Sequence, residues 1–409
     1  MKNIGRYWVL AFCRFSIVLV TLLICTGNIT NSVLLKWGFH EDQNSANYHI
    51  TLPEMMDGTA RKPFVYRASF PMSVRWVVNK LPPDLQAKLY AQVTQHDAIR
   101  SQYFSRLPAR YWTPVVAITY YITYFTVVAA TICALWLIYL LARTHALTFG
   151  QALTFVVAFS LFYPLTFQES AFYYDFLELA GLFAACFFLL RRQMLACTLC
   201  IALFSFNKET FFLAPLALFF LHERDVSLRT RVGWLAAQFA CCLVTRHLIT
   251  TGYDGNIGGT VEFHLMENVR FWIDPKTYLS FWNLISRSVP TPSIQNPLII
   301  VPLAIFFHAA WRFSGTRYRH YLHAALWPLV VLFIPFGYRD ELRAFSLAFP
   351  ALTLIALHGA SRFTQIFASV TEPPKATSTL PFVGASLPQP QREPSLLFVP
   401  RRTEIPRDV

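Results

Sequence analysis

Apolar runs of roughly the length a bilayer demands recur along the chain, separated by short polar stretches and two long ones. They cover residues 7–26, 114–141, 148–165, 172–190, 232–249, 297–311, 321–336 and 344–358. A further stretch, 194–221, is apolar but broken by Asn207, Lys208 and Glu209, and each half is short for a crossing. Basic residues flank both of its ends: Arg191 and Arg192 before it, Arg224, Arg229 and Arg231 after it. Lys and Arg favour the cytoplasmic side, so this pattern predicts a hairpin with both ends inside and its tip outside. Arg143, the group Arg312, Arg317 and Arg319, and Arg362 fall inside by the same reasoning. The expected fold is an all-α, polytopic integral membrane protein of about ten transmembrane segments, the broken hairpin included, with both termini cytoplasmic. Lys2 and Arg6 ahead of the first run resemble a signal peptide, but no small-x-small cleavage site follows, so the run reads as a retained anchor.

The long loop 36–112 is then extracytoplasmic. Within it, Val74, Val77, Val78 and Leu81 form one stripe at helical spacing, and Leu85, Leu89, Val93 and His96 form another after Pro82 and Pro83. Both suit helices lying on the outer leaflet, with Lys80, Lys88 and Arg100 near headgroups. The second extracytoplasmic loop, 251–296, carries Gly252, Gly255, Gly258 and Gly259 without the spacing of a nucleotide fingerprint. It reads as a plain connection, with a flexible lid as the alternative. Residues 1–358 form the polytopic domain. The Pro-rich segment 359–409 reads as a disordered cytoplasmic tail that cannot bury a core.

Composition removes the other classes. Hydrophobic residues are 55% and charged residues 14% of the 409, with a mean hydropathy of +0.41. A soluble domain carries about 25% charged residues, so a soluble enzyme, a disordered chain and a secreted disulfide scaffold are excluded. The formal charge of +13 is first a topology signal, and without a soluble basic domain no nucleic-acid partner is expected. The eight cysteines all lie in apolar segments and read as small buried hydrophobes. Cys197 and Cys200 have a metal-like spacing but no partner pair, so no metal site is assigned.

On this topology the unusual polar residues collect at the extracytoplasmic face. They are His40, Glu41 and Asp42; Tyr66 and Arg67; Asp175 and Glu178; Lys208 and Glu209; and Arg339, Glu341 and Arg343. Ionisable residues at membrane depth are costly and usually face a partner or a cavity. Carboxylates and cations together at a membrane surface suit group transfer from a lipid-linked phosphate. Cations neutralise the leaving phosphate and a carboxylate deprotonates the acceptor hydroxyl. Asp175 and Glu178 sit one helical turn apart and could bind a divalent cation (Mg or Mn), bind sugar hydroxyls, or pair with Lys208. Lys208 and Glu209 could instead pair with each other, and Glu341 with Arg343.

The segment Arg61-Lys62-Pro63-Phe64-Val65-Tyr66-Arg67, with Pro71 shortly after, resembles the "RPFVYR…P" segment of a group of bacterial polytopic membrane proteins. Asn207-Lys208-Glu209-Thr210 and Glu341-Leu342-Arg343 also resemble segments of that group. The layout is similar to the GT-C glycosyltransferase superfold, with an acidic motif after the first span and a large first outer loop. The resemblance implies a polyprenyl-phosphate-linked sugar as partner and a bacterial inner-membrane location. It implies a catalytic base at Asp42 or Glu41. The clustered polar residues Arg67, Tyr66, Asp175, Glu178, Lys208, Glu209, Arg339, Glu341 and Arg343 are the candidates for substrate binding, with phosphate expected on some of Arg67, Lys208, Arg339 and Arg343. Many members carry Asp-Asp or Asp-Glu where this chain has Glu41-Asp42. A polymerase of lipid-linked repeat units, a transporter or flippase, and a non-catalytic scaffold are the competing expectations; interrupted helices such as the hairpin often build transport sites.

Overall fold

The computed structural model describes residues 2–41, 48–95, 97–168, 170–223, 225–284 and 289–371. The chain divides into two units, Met1–Ile366 and Phe367–Val409, and of the second the described residues, 367–371, are helical. Among its described residues the first unit is mostly helical, with one small antiparallel pair of strands. Among the described residues six helices are long and apolar enough to cross a membrane: Trp8–Trp37, Pro114–Thr144, Phe149–Thr166, Tyr173–Leu190, Leu228–Gly252 and Leu342–Phe363. The protein is thus a polytopic membrane protein by length and composition.

The first helix, α1 (Lys2–Trp37), runs eleven residues past the predicted end of its span. The polar residues that suggested an end are satisfied by tertiary partners. Asn28 Nδ2 donates to the Ser160 carbonyl at 2.7 Å, and Asn31 Oδ1 accepts from Gln102 and Tyr103 at 3.0 Å each. The first long loop then supplies α2 (Leu52–Asp57), α3 (Ser69–Lys80), α4 (Pro83–Gln95) and α5 (Ala98–Tyr103). Helices form over both predicted stripes, as α3 and α4. The Gln86 amide fixes their corner by donating to the Val78 and Leu81 carbonyls at 3.1 and 3.0 Å. Val78 is buried while Trp76 and Val77 face outward, and His96 lies outside the described residues.

The central pair is α6 (Pro114–Thr144) and α8 (Tyr173–Leu190), with α7 (Phe149–Phe162) beside them. Pro114 at the first turn of α6 and the capping box of Thr148 and Gln151 at α7 start these helices where the chain re-enters the apolar layer. The broken stretch forms α9 (Met194–Ser205), a 3₁₀ turn at Glu209–Phe212 and α10 (Ala214–Phe219). At 1.5 Å per residue, the 12 residues of α9 rise only about 18 Å, short of a hydrocarbon layer about 30 Å thick. Its two ends meet at one end of the bundle. Arg192 pairs with Asp225 at 2.9 Å and with Glu223, which also faces Arg317 at 3.5 Å. The stretch is therefore a hairpin of two short helices whose ends lie together.

The chain continues through α11 (Leu228–Gly252), α12 (Leu265–Ile273), α13 (Pro275–Tyr278) and an antiparallel pair, β1 (Phe281–Leu284) with β2 (Val289–Pro292). Phe281 opposes Pro292 and Leu284 opposes Val289. Helices α14 (Pro297–Phe313), α15 (Thr316–Phe336) and α16 (Phe349–Thr371) follow, the first unit ending within α16 at Ile366. The last helix extends twelve residues beyond Gly359, where a disordered tail was expected to begin; 372–409 lie outside the described residues. Gly359 permits its close approach to α14, since a Cβ there would lie 2.5 Å from the Ala310 Cβ.

Candidate functional site in a charged and apolar cavity

The polar groups meet because antiparallel helices return distant segments to the same end of the bundle. The first turn of α8 supplies Tyr173, Tyr174, Asp175 and Glu178. Asp175 also starts the helix, its carboxylate accepting from the Phe172 amide at 2.9 Å. The hairpin tip supplies Lys208, Glu209 and Thr210, and is tied to α8 by Asn207 Nδ2 donating to the Tyr174 carbonyl at 2.7 Å. Arg67 ends a 3₁₀ turn at Phe64–Arg67, where Tyr173 donates to its carbonyl and Arg67 Nη1 donates to the Tyr174 hydroxyl at 2.8 Å. Glu341 and Arg343 come from the start of the last membrane segment.

These charges form a nearly closed network. Lys208 Nζ lies 3.0 Å from Asp175 Oδ1 and 2.6 Å from Glu178 Oε2. Arg343 Nη1 lies 2.6 Å from Asp175 Oδ2 and its other Nη pairs with Glu341 and, at 2.6 Å, with the Ser170 hydroxyl. Arg67 grips Glu209 through both Nε, at 3.0 Å, and Nη2. Thr210 donates its hydroxyl proton to Glu178. Three cations thus face four carboxylates. Asp175 is 2% exposed and Glu178 is 0%, so bringing them out of water depends on Lys208 and Arg343. Glu209 and Glu341 are more open, at 35% and 22%.

Beside the network lies a cavity of about 1460 Å³. One wall is ionic, formed by Arg67, Lys208, Glu209, Glu341 and Arg343, with Tyr66 and His40 adjoining. Another is apolar, formed by Leu243 and Ile249 of α11 and by Leu329, Leu332, Phe333 and Phe336 of α15. The second long loop covers part of it and is docked rather than free. Asn256 Nδ2 donates to the Gly58 and Ala60 carbonyls at 2.8 Å each, and the Lys62 amide donates to the Ile257 carbonyl at 2.9 Å. Gly258 adopts φ +94° there, and a Cβ would lie 2.7 Å from the Lys62 carbonyl oxygen.

The structure sorts the expected site residues into groups. Tyr66, Arg67, Lys208, Glu209, Glu341 and Arg343 share the cavity wall. Asp175 and Glu178 stand behind that wall, paired with Lys208, which is one of the three alternatives open to them. The expected Lys208–Glu209 pair is replaced by Lys208 with α8 and Glu209 with Arg67. Arg339 is off the cavity wall, its amide donating to Asn268 Oδ1 at 2.6 Å and its guanidinium over the Tyr338 ring. Asp42 lies outside the described residues.

Glu41 is described and points away from the cavity wall. Gly38 and His40, with φ of +53° and +62°, turn the chain back at the end of α1. Glu41 Oε2 then accepts from the Phe39 amide at 3.0 Å, and the carboxyl is buried beside the Tyr120 hydroxyl. Burial pushes its carboxyl up to about 7, against the pull of the Tyr120 hydroxyl, the Phe39 amide and Arg106. The residues present do not fit a divalent cation at Asp175 and Glu178, because Lys208, Arg343, Thr210 and the Phe172 amide occupy their oxygens. Among the described residues, no group of three or more His, Cys, Asp or Glu side chains is placed to hold a metal ion.

Glu262, His264 and Glu267 of the second long loop also line the cavity and escaped the sequence reading, as did Arg246. Arg246 sits within the apolar span of α11, with its guanidinium 4.7 Å from the centre of the Tyr66 ring. The available signal was a lone arginine inside an otherwise apolar run. No known protein family, curated protein or solved structure matches the chain.

Proposed function

We propose that the protein is a GT-C-like glycosyltransferase of about ten membrane segments in a bacterial inner membrane, with both termini cytoplasmic. It moves a sugar from a polyprenyl-phosphate carrier to a glycan, lipid or protein acceptor at the extracytoplasmic face. The observation that carries this reading is the cavity, in which an ionic wall built from three separate stretches of chain stands beside an apolar wall. A lipid-linked sugar has the same two halves. The prenyl tail requires an apolar groove opening between helices, and the sugar requires directed hydrogen-bond acceptors and donors. Glu209 and Glu341 are each fixed by an arginine yet open to the cavity, so they offer acceptors to sugar hydroxyls. Asp175 and Glu178 hold Lys208 and Arg343 in place from behind and make no contact with substrate.

Base catalysis falls to Asp42 in this reading, because the Glu41 carboxylate is packed against its own turn. Asp42 takes the proton of the acceptor hydroxyl as its oxygen attacks the anomeric carbon, and the phosphate leaves with the electron pair of the glycosidic bond. The test is transfer from labelled polyprenyl-phosphate sugar in membranes holding equal amounts of each variant. Asp42→Asn abolishes transfer and Glu41→Gln retains it. Transfer unchanged in Asp42→Asn rejects the assignment of the base. Uptake or flipping of the labelled lipid in proteoliposomes without any covalent product rejects the enzymatic reading in favour of transport.

A further inference from the structure

The charge pattern of the cavity narrows its ligand. Among the described residues, five cationic side chains line it: Arg61, Arg67, Lys208, Arg246 and Arg343. Four of these are already neutralised. Arg61 pairs with Glu262 at 2.6 Å, and the other three belong to the network with Asp175, Glu178, Glu209 and Glu341. A phosphate that displaced Asp175 or Glu178 would leave a buried acid without its counter-charge, which is strongly unfavourable, and one at Arg61 or Arg67 would meet the like charge of the more open Glu262 or Glu209.

Arg246 differs from the others. No described Asp or Glu side chain forms an ion pair with it, and its neighbour is the face of Tyr66. It lies six residues before the end of α11, about 9 Å down the helix axis from Gly252, inside a membrane-spanning segment. A cation at such depth calls for an anion or water beside it. The same helix presents Leu243 and Ile249 to the cavity, one turn to either side of Arg246. A cation flanked by apolar side chains suits a phosphate esterified to a hydrocarbon chain.

We propose that Arg246 anchors the phosphate of a prenyl phosphodiester, a ligand with a single negative charge. This inference rests on the glycosyltransferase reading and refines it, since it assigns the anion to Arg246 and leaves the charged network for the sugar. The single charge follows from the balance of the wall. Among the described residues Arg246 is the lining arginine or lysine without a carboxylate partner, and the network beside it carries one carboxylate more than it has cations, so a second phosphate group meets repulsion.

The experiment measures binding to the purified full-length protein in detergent. The probes are farnesyl methyl phosphate (a monoanionic diester), farnesyl diphosphate, farnesol and inorganic phosphate. The wild type binds the diester in preference to the diphosphate and to inorganic phosphate. Arg246→Gln weakens the diester by about 10- to 100-fold, Arg246→Lys retains part of the affinity, and farnesol binding is unchanged in both. Equal diester affinity in the wild type and Arg246→Gln overturns the assignment while leaving the glycosyltransferase reading intact. Tighter binding of the diphosphate overturns the single-charge claim. Inorganic phosphate competing at the same concentration as the diester shows a free-anion site and overturns the lipid assignment. A wild type that binds no prenylated probe removes both this inference and the function on which it rests. Ligand-free melting of the two variants, together with their farnesol binding, separates loss of the anchor from loss of the fold.

Discussion

Replacing Lys208 by Met tests whether the charged network is a mutual dependence or a chance cluster. Lys208 Nζ sits between Asp175 and Glu178, which are 2% and 0% exposed. Once the ammonium is gone, Asp175 keeps Arg343 at 2.6 Å and the Phe172 amide at 2.9 Å. Glu178 keeps only the Thr210 hydroxyl among these contacts, so it becomes a buried carboxylate without a counter-charge. Breaking a buried ion pair from one side costs about 3–5 kcal/mol, because the remaining charge must stay desolvated or take up a proton. Adding Glu178→Gln removes that orphan, so the double variant regains roughly 2 kcal/mol or more of the loss, a coupling of the size expected for groups in contact. The assay is unfolding in detergent for the wild type, Lys208→Met, Glu178→Gln and the double variant, completing a mutant cycle. Met fills a volume similar to the lysine stem, so packing changes little. Additive losses, or a double variant no more stable than Lys208→Met, refute the account of the network.

Three further outcomes follow from individual contacts. Glu41→Gln is stabilising at high pH only: the wild-type carboxyl titrates near 7 when folded and near 4.5 when unfolded. Wild-type stability therefore falls as pH rises from about 4.5 to 7, and the advantage of Gln grows from nothing to about 3 kcal/mol above that range, measurable as pH-dependent unfolding. Gly258→Ala detaches the second loop from the segment around Lys62, because the left-handed φ and the 2.7 Å approach both exclude a Cβ; faster protease cutting between residues 252 and 264, with little change in overall melting, is the readout. Arg67→Ala unpairs Glu209 and opens the contact with Tyr174, lowering sugar transfer at least tenfold while prenyl diester affinity stays within threefold; equal losses in both would merge the two functions assigned to separate parts of the wall.

The membrane class and the hairpin were legible because bilayer length and arginine placement leave few alternatives. So was the gathering of Arg67, Lys208, Glu209, Glu341 and Arg343 at one end of the bundle. Which partners those ions choose was not legible, since it depends on side-chain directions set by packing. Glu209 turns to Arg67, more than a hundred residues away, rather than to its neighbour Lys208. The direction of Glu41 is fixed by left-handed backbone at Gly38 and His40, and a histidine gives little notice of that conformation. The extent of α1 was missed because Asn28 and Asn31 look like loop residues until their distant partners are known. Arg246 was overlooked because hydropathy averaging hides one charge in a long apolar run.

The most direct test of the central claim is photolabelling of the full-length protein in membranes with a polyprenyl-phosphate sugar carrying a photoreactive group on its first isoprene units, followed by peptide mapping. The account places the label on residues 243–249 and 329–336, with competition by excess unlabelled lipid-linked sugar and a loss in Arg246→Gln. A label spread over the outward-facing apolar surface of α1, unaffected by competitor and equal in the variant, contradicts it.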